Sequence, residues 1–351
     1  MIKVSIIGCG RVFEHYRKIF NSKELPSFKI SQVCDKNSII SKKVGSFYNC
    51  KYYTDFKKMI NESTSDLIII LSPSGLHFEH SHYALDKNFN VLVEKPITLK
   101  INHAEKLIKL AKKKKLIFGI AFQNRLNPSI VKLKEAISDK RFGKIISCSV
   151  RLRWCRFQEY YNDQWHGRWS MDGGVLNQQA IHHIDALNYL LGPINTVYSI
   201  SDKRLNKLEA EDTIVAILRL KNGALATFEA TTAARPKDLE ASLTITGELG
   251  EVVIGGIALN KINSWNFLNK RKSDILIKKK YSNNVPNGYG FSHKEILKDI
   301  FSNIRDKKNN IKVKASDTLS TLKLVHSIYA SCEREKPINL KDNVISKKLG
   351  N

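Results

Sequence analysis

The chain has 351 residues and a formal net charge of +25, with 58 Lys and Arg residues against 33 Asp and Glu residues. This length allows two domains with separate cores, whereas no apolar run reaches the roughly 20 residues of a membrane span and no signal peptide is evident. The six cysteines form no C-x-x-C pair, which favours reduced thiols over a zinc site or a disulfide framework. We therefore expect a cytoplasmic protein without a structural metal.

The positive charge allows three interpretations. Lys is spread along most of the chain and accompanies frequent Ile and Asn, which indicates compositional bias with solvated helix faces. A positive field can also attract an anionic substrate. The basic runs at 112–115 and 278–280 lack interleaved aromatic residues, which disfavours nucleic acid as a partner.

The first 35 residues predict a dinucleotide-binding unit. An apolar strand over 1–7 runs into the glycine-rich turn Gly8–Val12, a helix follows to Phe20, and a second strand over 28–34 leads to Asp35. Glycines let the backbone approach a pyrophosphate, and the helix N-terminus favours its charge. An acid after the second strand accepts hydrogen bonds from ribose hydroxyls. Asp35 would also repel a 2′-phosphate, which favours NAD over NADP.

Strands and helices continue to alternate up to about residue 122, which indicates a parallel sheet and a Rossmann domain. Either Thr54 or Asp55 can be the N-cap of the helix predicted over 53–61. The predicted helices cover 39–47, 53–61, 77–87 and 102–114, and the predicted strands cover 67–71, 90–94 and 116–122.

From Gln123 onward the pattern changes to consecutive strands joined by short turns, such as Lys221–Gly223. Such connections indicate an antiparallel sheet. The predicted strands cover 145–153, 194–201, 212–220, 225–232, 239–246 and 251–254, and the predicted helices cover 128–138, 292–304 and 315–335. We therefore divide the chain into a dinucleotide-binding domain, 1–122, and a second domain, 123–351.

Three polar segments lie where predicted parallel strands end: Ser72–His77, Glu94–Pro96 and Gln123–Arg125. In doubly wound folds, ligands bind at this edge of the sheet. A lysine fixed beside the nicotinamide, as Lys95 would be, can act as a general acid or hold a substrate hydroxyl. Pro96 limits the backbone directly after Lys95, and the peptide bond between them can take the cis form.

A fourth polar segment covers residues 172–185 and follows a Gly-Gly turn. If it is helical, Gln178, His182 and Asp185 fall at positions i, i+4 and i+7 and share one face. A polar face at the start of a helix indicates a site more strongly than a single histidine does.

Together, these four segments resemble the Gfo/Idh/MocA family of NAD(P)-dependent oxidoreductases over nearly the whole chain. Glu94–Pro96 and the Gly-Gly segment with His182 and Asp185 are the most specific parts. The resemblance implies an α/β protein with a Rossmann domain and an α+β domain, 123–351, built on an open, mostly antiparallel sheet. It also implies hydride transfer between NAD and a sugar ring carbon by a homodimer or homotetramer that assembles through that sheet.

A narrower resemblance concerns residues 160–169 together with 172–174. They are similar to the branch that oxidises C3 of UDP-N-acetylhexosamines or their uronic acids. That branch commonly has W-R-G-T-W where this chain has W-H-G-R-W, so His166 or Arg168 can stand for its arginine. Aromatic rings beside a basic group suit a sugar and an anionic diphosphate.

Carried over by position, Lys95 and His182 would be catalytic. Many members have an Asp four residues before the histidine, whereas Gln178 cannot titrate. This leaves Lys95 or His182 to take the hydroxyl proton. The cofactor contacts that we expect are Gly8, Cys9, Gly10, Arg11, Val12, Asp35, Ser72, Pro73, His77, Glu94, Lys95 and Gln123. The substrate contacts that we expect are Lys95, Arg125, Tyr161, Trp165, Arg168, Gln178, His182 and Tyr289.

A second hypothesis is a regulator that binds NAD or a sugar without turnover. Two departures from the family pattern favour it. Gln178 replaces the titratable acid, and Phe13 stands where the dinucleotide fingerprint usually has Gly or Ala.

Overall fold

A computed structural model describes all 351 residues and divides them into two units. The first unit contains Met1–Gln123 and His293–Leu319, and the second contains Asn124–Ser292 and Ser320–Asn351. The chain first passes from one unit to the other between Gln123 and Asn124, one residue after the predicted boundary at 122/123. The segment His293–Leu319 differs from the predicted division, because it folds with the first unit.

The first unit is built on a six-stranded parallel sheet in the order β3-β2-β1-β4-β5-β6. Its strands are β1 (Ile2–Ile7), β2 (Phe28–Cys34), β3 (Lys51–Tyr53), β4 (Leu67–Ile70), β5 (Asn90–Val93) and β6 (Phe118–Ile120). The helices between them are α1 (Arg11–Phe20), α2 (Ser38–Tyr48), α3 (Phe56–Asn61), α4 (His77–Asp86) and α5 (Ile101–Lys113). The order reverses at β1 and β4, whose carboxyl ends therefore border the crevice where doubly wound folds bind ligands.

The second unit is built on an eight-stranded mixed sheet in the order β13-β12-β11-β7-β10-β9-β8-β14. Its strands are β7 (Ile145–Arg153), β8 (Ile194–Asp202), β9 (Thr213–Leu220), β10 (Leu225–Thr231), β11 (Glu240–Gly247), β12 (Gly250–Gly255), β13 (Lys261–Phe267) and β14 (Ile338–Asn339). Its helices are α6 (Pro128–Ser138), α7 (Val175–Gln178), α8 (Ile181–Leu191) and α9 (Ile277–Tyr281). Only β7 and β10 pair in parallel, so the sheet is mostly antiparallel, as predicted.

Two helices follow near the end of the chain. Helix α10 (His293–Arg305) returns to the first unit, where it contacts α1 and β1. Helix α11 (Leu319–Arg334) lies almost entirely in the second unit. None of the helices has both the length and the apolar character required for crossing a bilayer.

The segment around His182 is not the single helix on which a shared face of Gln178, His182 and Asp185 depended, because the structure has two helices there. Helix α7 ends at Gln178 and α8 begins at Ile181. Between them, Ala180 N–H donates to the Val175 carbonyl at 2.8 Å, and His183 N–H donates to the Ala180 carbonyl at 2.9 Å. These bonds span five and three residues instead of four, which interrupts the regular helical ladder.

Candidate active site

In the glycine-rich turn after β1, the backbone is closely packed at Gly8 and open at Gly10. Gly8 has φ +94°, and an added Cβ would lie 2.7 Å from the carbonyl carbon of Leu71, so glycine is required there. At Gly10 an added Cβ would meet no atom within 4 Å. The backbone before α1 therefore borders open space, which fits the approach of a pyrophosphate to a helix N-terminus.

Asp35 lies directly against this turn. One of its carboxylate oxygens accepts a hydrogen bond from the backbone N–H of Cys9 at 2.8 Å, and the other accepts one from Asn37 N–H at 2.9 Å. An ionised carboxylate offers about four acceptor positions, so it can also accept bonds from ribose hydroxyls. The turn and the acid predicted from the sequence are thus adjacent in space.

Two other side chains of this region are buried rather than exposed to a ligand. Phe13 has no exposed surface and packs edge-to-face on Tyr48, with ring centroids 6.4 Å apart. Cys9 is 4 % exposed, and burial raises the pKa of its thiol far above the ordinary value. Phe13 is accommodated as a core residue, and the Cys9 thiol stays neutral.

The segment after β4 is joined to the segment after β5 by His77. Its Nδ1 lies 2.6 Å from the Pro96 carbonyl, and its Nε2 lies 2.9 Å from the Ser72 carbonyl. The ring is fully buried, and burial lowers the pKa of His77. Ser72 Oγ bonds to His80 Nδ1 at 2.9 Å. A neutral ring has one N–H group, so His77, predicted to contact the cofactor, donates a hydrogen bond to one of these two carbonyls and packs against the other.

Lys95 follows β5, and its peptide bond with Pro96 is cis, a form that the sequence allowed. The lysine is partly exposed, whereas the preceding Glu94 is buried. Gln123, which follows β6, is buried as well. Because Lys95, Asp35 and the glycine-rich turn all follow parallel strands, they lie along one edge of the sheet.

In the second unit, Arg125 is engaged with an acid. Its Nε and Nη2 donate to the two carboxylate oxygens of Asp185 at 2.8 and 2.6 Å, and Thr321 Oγ1 donates to the same carboxylate at 2.7 Å. Both members of the ion pair are buried. Asp185 thus orients Arg125, an arrangement typical of bidentate guanidinium–carboxylate pairs.

The two adjacent histidines of α8 have different surroundings. His182 lies in the first turn of the helix and is 9 % exposed. His183 is buried against Trp154, with ring centroids 6.1 Å apart, and burial lowers its pKa to about 3. His183 is therefore neutral under ordinary conditions.

A buried acid that no sequence pattern indicates contacts the Gly-Gly turn. Glu211 is 3 % exposed, and one of its oxygens accepts bonds from Tyr329 Oη at 2.9 Å and from Leu176 N–H at 3.1 Å. Tyr329 Oη in turn accepts a bond from Gly174 N–H at 3.2 Å. Burial raises the pKa of Glu211 to about 7. No local motif marks this residue, because its contacts come from distant parts of the chain.

The two basic side chains of the segment 160–169, His166 and Arg168, differ in their exposure to solvent. His166 is buried, its ring packs against those of Trp165 and Tyr160, and its Nδ1 hydrogen-bonds with Asp163. Arg168, by contrast, is exposed. Of the two candidates for the family's arginine, Arg168 therefore presents its guanidinium to solvent.

Two predicted substrate-binding tyrosines lie in this unit. Tyr161 is 8 % exposed, and its hydroxyl hydrogen-bonds with Thr232 Oγ1 at 2.7 Å. Tyr289 is partly exposed, and its loop lies on Trp154, because an added Cβ on Gly288 would be 2.7 Å from the indole. Gln178 is also partly exposed.

Comparisons with known proteins agree with this architecture. Models of one oxidoreductase family match the chain twice, as its NAD-binding Rossmann fold over residues 2–122 and as its C-terminal alpha/beta domain over residues 134–340. The chain is similar in structure to the WlbA dehydrogenase from Bordetella pertussis, solved in complex with NADH and UDP-GlcNAcA. That likeness has a TM-score of 0.90 and 29 % identity, and it covers 96 % of this chain and 97 % of the other.

Curated relatives align over shorter segments. The chain is 28 % identical to an uncharacterised oxidoreductase of Schizosaccharomyces pombe, over 62 % of this chain and 59 % of the relative. It is 24 % identical to myo-inositol 2-dehydrogenase of Thermotoga maritima, over 65 % of this chain and 68 % of the relative. The chain thus spans roughly two thirds or less of the length of these relatives.

Proposed function

The chain belongs to the Gfo/Idh/MocA family of oxidoreductases, and on this basis we propose that it is an NAD-dependent dehydrogenase acting on a sugar. The observation that carries the proposal is the arrangement in the first unit. The open turn at Gly10, the carboxylate of Asp35 and the amine-bearing Lys95 follow strands of one parallel sheet.

The residues present fit NAD. The backbone of Gly8–Val12 would hold the pyrophosphate, and Asp35 would accept bonds from the adenosine ribose while repelling a 2′-phosphate. When bound, NAD supplies a hydride acceptor at its nicotinamide. This chain's own residues then position the sugar and remove the hydroxyl proton.

For that proton, the chain offers Lys95 and His182 as general bases. Gln178 carries an amide in place of an acid, so we assign it a hydrogen bond to the sugar. Asp185 is already occupied by Arg125 and serves to orient it.

We further propose that the substrate is a sugar nucleotide oxidised at C3. The exposed Arg168, with Trp165 and Trp169 close to it in sequence, suits a diphosphate and a sugar. The net charge of +25 also favours an anionic substrate. The WlbA relative, which was solved with UDP-GlcNAcA, adds support for this class.

The assignment is tested with Lys95→Ala. We expect turnover of UDP-sugars, followed as NADH formation, to fall at least about 100-fold, because general acid–base groups contribute roughly 10²–10⁴ to rate. NAD should bind nearly as in the wild type and more tightly than NADP, measured by titration. Lys106→Ala, on the outer face of α5, is the matched control and should keep full activity. Wild-type rates in Lys95→Ala would refute the role of Lys95.

The alternative of a regulator without turnover is favoured by Gln178, which cannot titrate. It predicts tight NAD binding and no NADH formation with any member of a panel of sugars and UDP-sugars. The core packing of Phe13 removes the other argument for this alternative, since the space beside Gly10 stays open.

We also propose a cytoplasmic homodimer or homotetramer. All six cysteines are free thiols, which suits a reducing compartment. The sheet of the second unit has one buried face, while its other face presents Ile200, Val215, Ile217 and Leu225, each at least half exposed. An apolar sheet face of this kind is typical of an interface.

A further inference from the structure

Glu94 is enclosed by side chains from two helices of the first unit. Its Oε1 accepts a hydrogen bond from Tyr16 Oη at 2.9 Å and lies 3.5 Å from His293 Nε2. Tyr16 belongs to α1, which begins at the glycine-rich turn, and His293 is the first residue of α10. All three side chains are buried, so these contacts are shielded from water and from salt.

The hydrogen bonds around Glu94 form a consistent series. His15 Nε2 lies 3.2 Å from His293 Nδ1, so the N–H group of His15 can donate a hydrogen bond to that nitrogen. The Nε2–H group of His293 then points at Glu94. In this arrangement the two rings form a chain that ends on the Glu94 carboxylate. Burial lowers the pKa of His15 to about 3, in agreement with a neutral ring.

The other oxygen of Glu94 faces the backbone of the lysine. Glu94 Oε2 accepts a bond from Lys95 N–H at 3.3 Å. Burial opposes the ionisation of Glu94, but the bonds from His293 and Tyr16 and the charge of Lys95 bring its pKa below the ordinary value. A fixed negative charge therefore lies one residue before the candidate catalytic amine.

We propose that Glu94, held by Tyr16 and His293, is a positioning residue that acts through Lys95. This inference rests on the proposed function and goes beyond it by assigning roles to three buried side chains. The carboxylate fixes the backbone where β5 ends and favours the ammonium form of the lysine, so Lys95 donates a hydrogen bond to the substrate hydroxyl and His182 takes its proton. On the other side of Lys95, His77 holds the Pro96 carbonyl at 2.6 Å, so the lysine is restrained from both directions.

The first test measures Lys95 directly and needs neither cofactor nor substrate. The rate of amine labelling by acetic anhydride is followed against pH by mass spectrometry, with Lys106 of the same protein as internal reference. In Glu94→Gln the charge is lost, so Lys95 should label at a pH lower by about one unit. The other titratable groups around Glu94, namely His15, Tyr16, His77 and His293, are unchanged. An unmoved Lys95 profile would overturn the proposal.

The second test compares two tyrosine variants. Tyr16→Phe removes one donor to Glu94, and Tyr53→Phe removes the matched bond of Tyr53 Oη to Glu62 Oε2, 2.8 Å long, at the far edge of the same sheet. We expect kcat to fall about 10-fold in Tyr16→Phe alone, with the Kd for NAD and the melting temperature similar in both variants. Equal kcat in the two variants would contradict positioning by Tyr16.

His293 provides a rescue experiment. His293→Phe keeps an aromatic ring but loses the N–H group, whereas His293→Gln keeps a donor that can reach Glu94. Greater activity in His293→Gln than in His293→Phe supports the proposal, and the reverse order opposes it. If the wild-type protein oxidises no sugar, the proposed function fails, while the labelling of Lys95 still decides the role of Glu94.

Discussion

Glu211 shows how a single buried carboxyl links stability to pH. Its pKa is raised by burial from about 4.5 to about 7. Between these values the folded protein binds more protons than the unfolded chain, so stability falls as pH rises from about 4.5 to about 7, by at most about 3 kcal/mol. Glu211→Gln has no such proton to lose. The free energy of unfolding of Glu211→Gln minus that of the wild type should therefore be larger at pH 8 than at pH 5, as measured by urea denaturation.

A carboxyl with the opposite shift serves as the control. The hydrogen bond from Arg153 lowers the pKa of Glu229, whose stabilising contribution is lost only as pH falls below its ordinary range. The stability difference between wild type and Glu229→Gln should therefore be the same at pH 5 and pH 8. A flat difference for Glu211→Gln as well would mean that Glu211 is ionised throughout this range.

At the scale of elements, the start of α3 distinguishes two caps that the sequence left open. Asp55 Oδ1 accepts bonds from Lys57 N–H at 2.7 Å and Lys58 N–H at 3.3 Å, whereas Thr54 is exposed and precedes the cap. Asp55→Ala should lower the free energy of unfolding by about 1 kcal/mol. Thr54→Ala should change it by less than about 0.5 kcal/mol. Equal losses in urea denaturation would contradict the assignment of Asp55 as the cap.

Elements defined by local signals were predictable. The glycine-rich turn, Asp35 and the strand Leu67–Ile70 are each set by residues close in sequence. Strand β3 was missed, because its three residues become a strand only by pairing with β2. The break before α8 and the return of α10 to the first unit depend on contacts between distant segments.

The candidate site divides in the same way. Residue types at strand ends indicated Lys95 and its neighbours, whereas the partners that restrain them were not visible in the sequence. Tyr16 and His293 reach Glu94 from 78 residues before it and about 200 residues after it, and no spacing rule connects such positions. The roles assigned to the site residues remain predictions that the variants above test.

At the scale of the whole molecule, the exposed sheet face of the second unit predicts that the chain forms an oligomer. Ile217 is 57 % exposed and lies opposite Tyr198 on β8 and Thr227 on β10, within the apolar part of that face. We expect the wild type to sediment at two or four times its 40.0 kDa chain mass. Ile217→Glu should shift it toward a single chain with an unchanged circular dichroism spectrum, because burying an unpaired carboxylate costs several kcal/mol. Ile275→Glu, at an 83 % exposed position outside the sheet, should leave the mass unchanged. A wild-type protein that sediments as one chain would refute the interface and would leave the apolar face of the sheet in water.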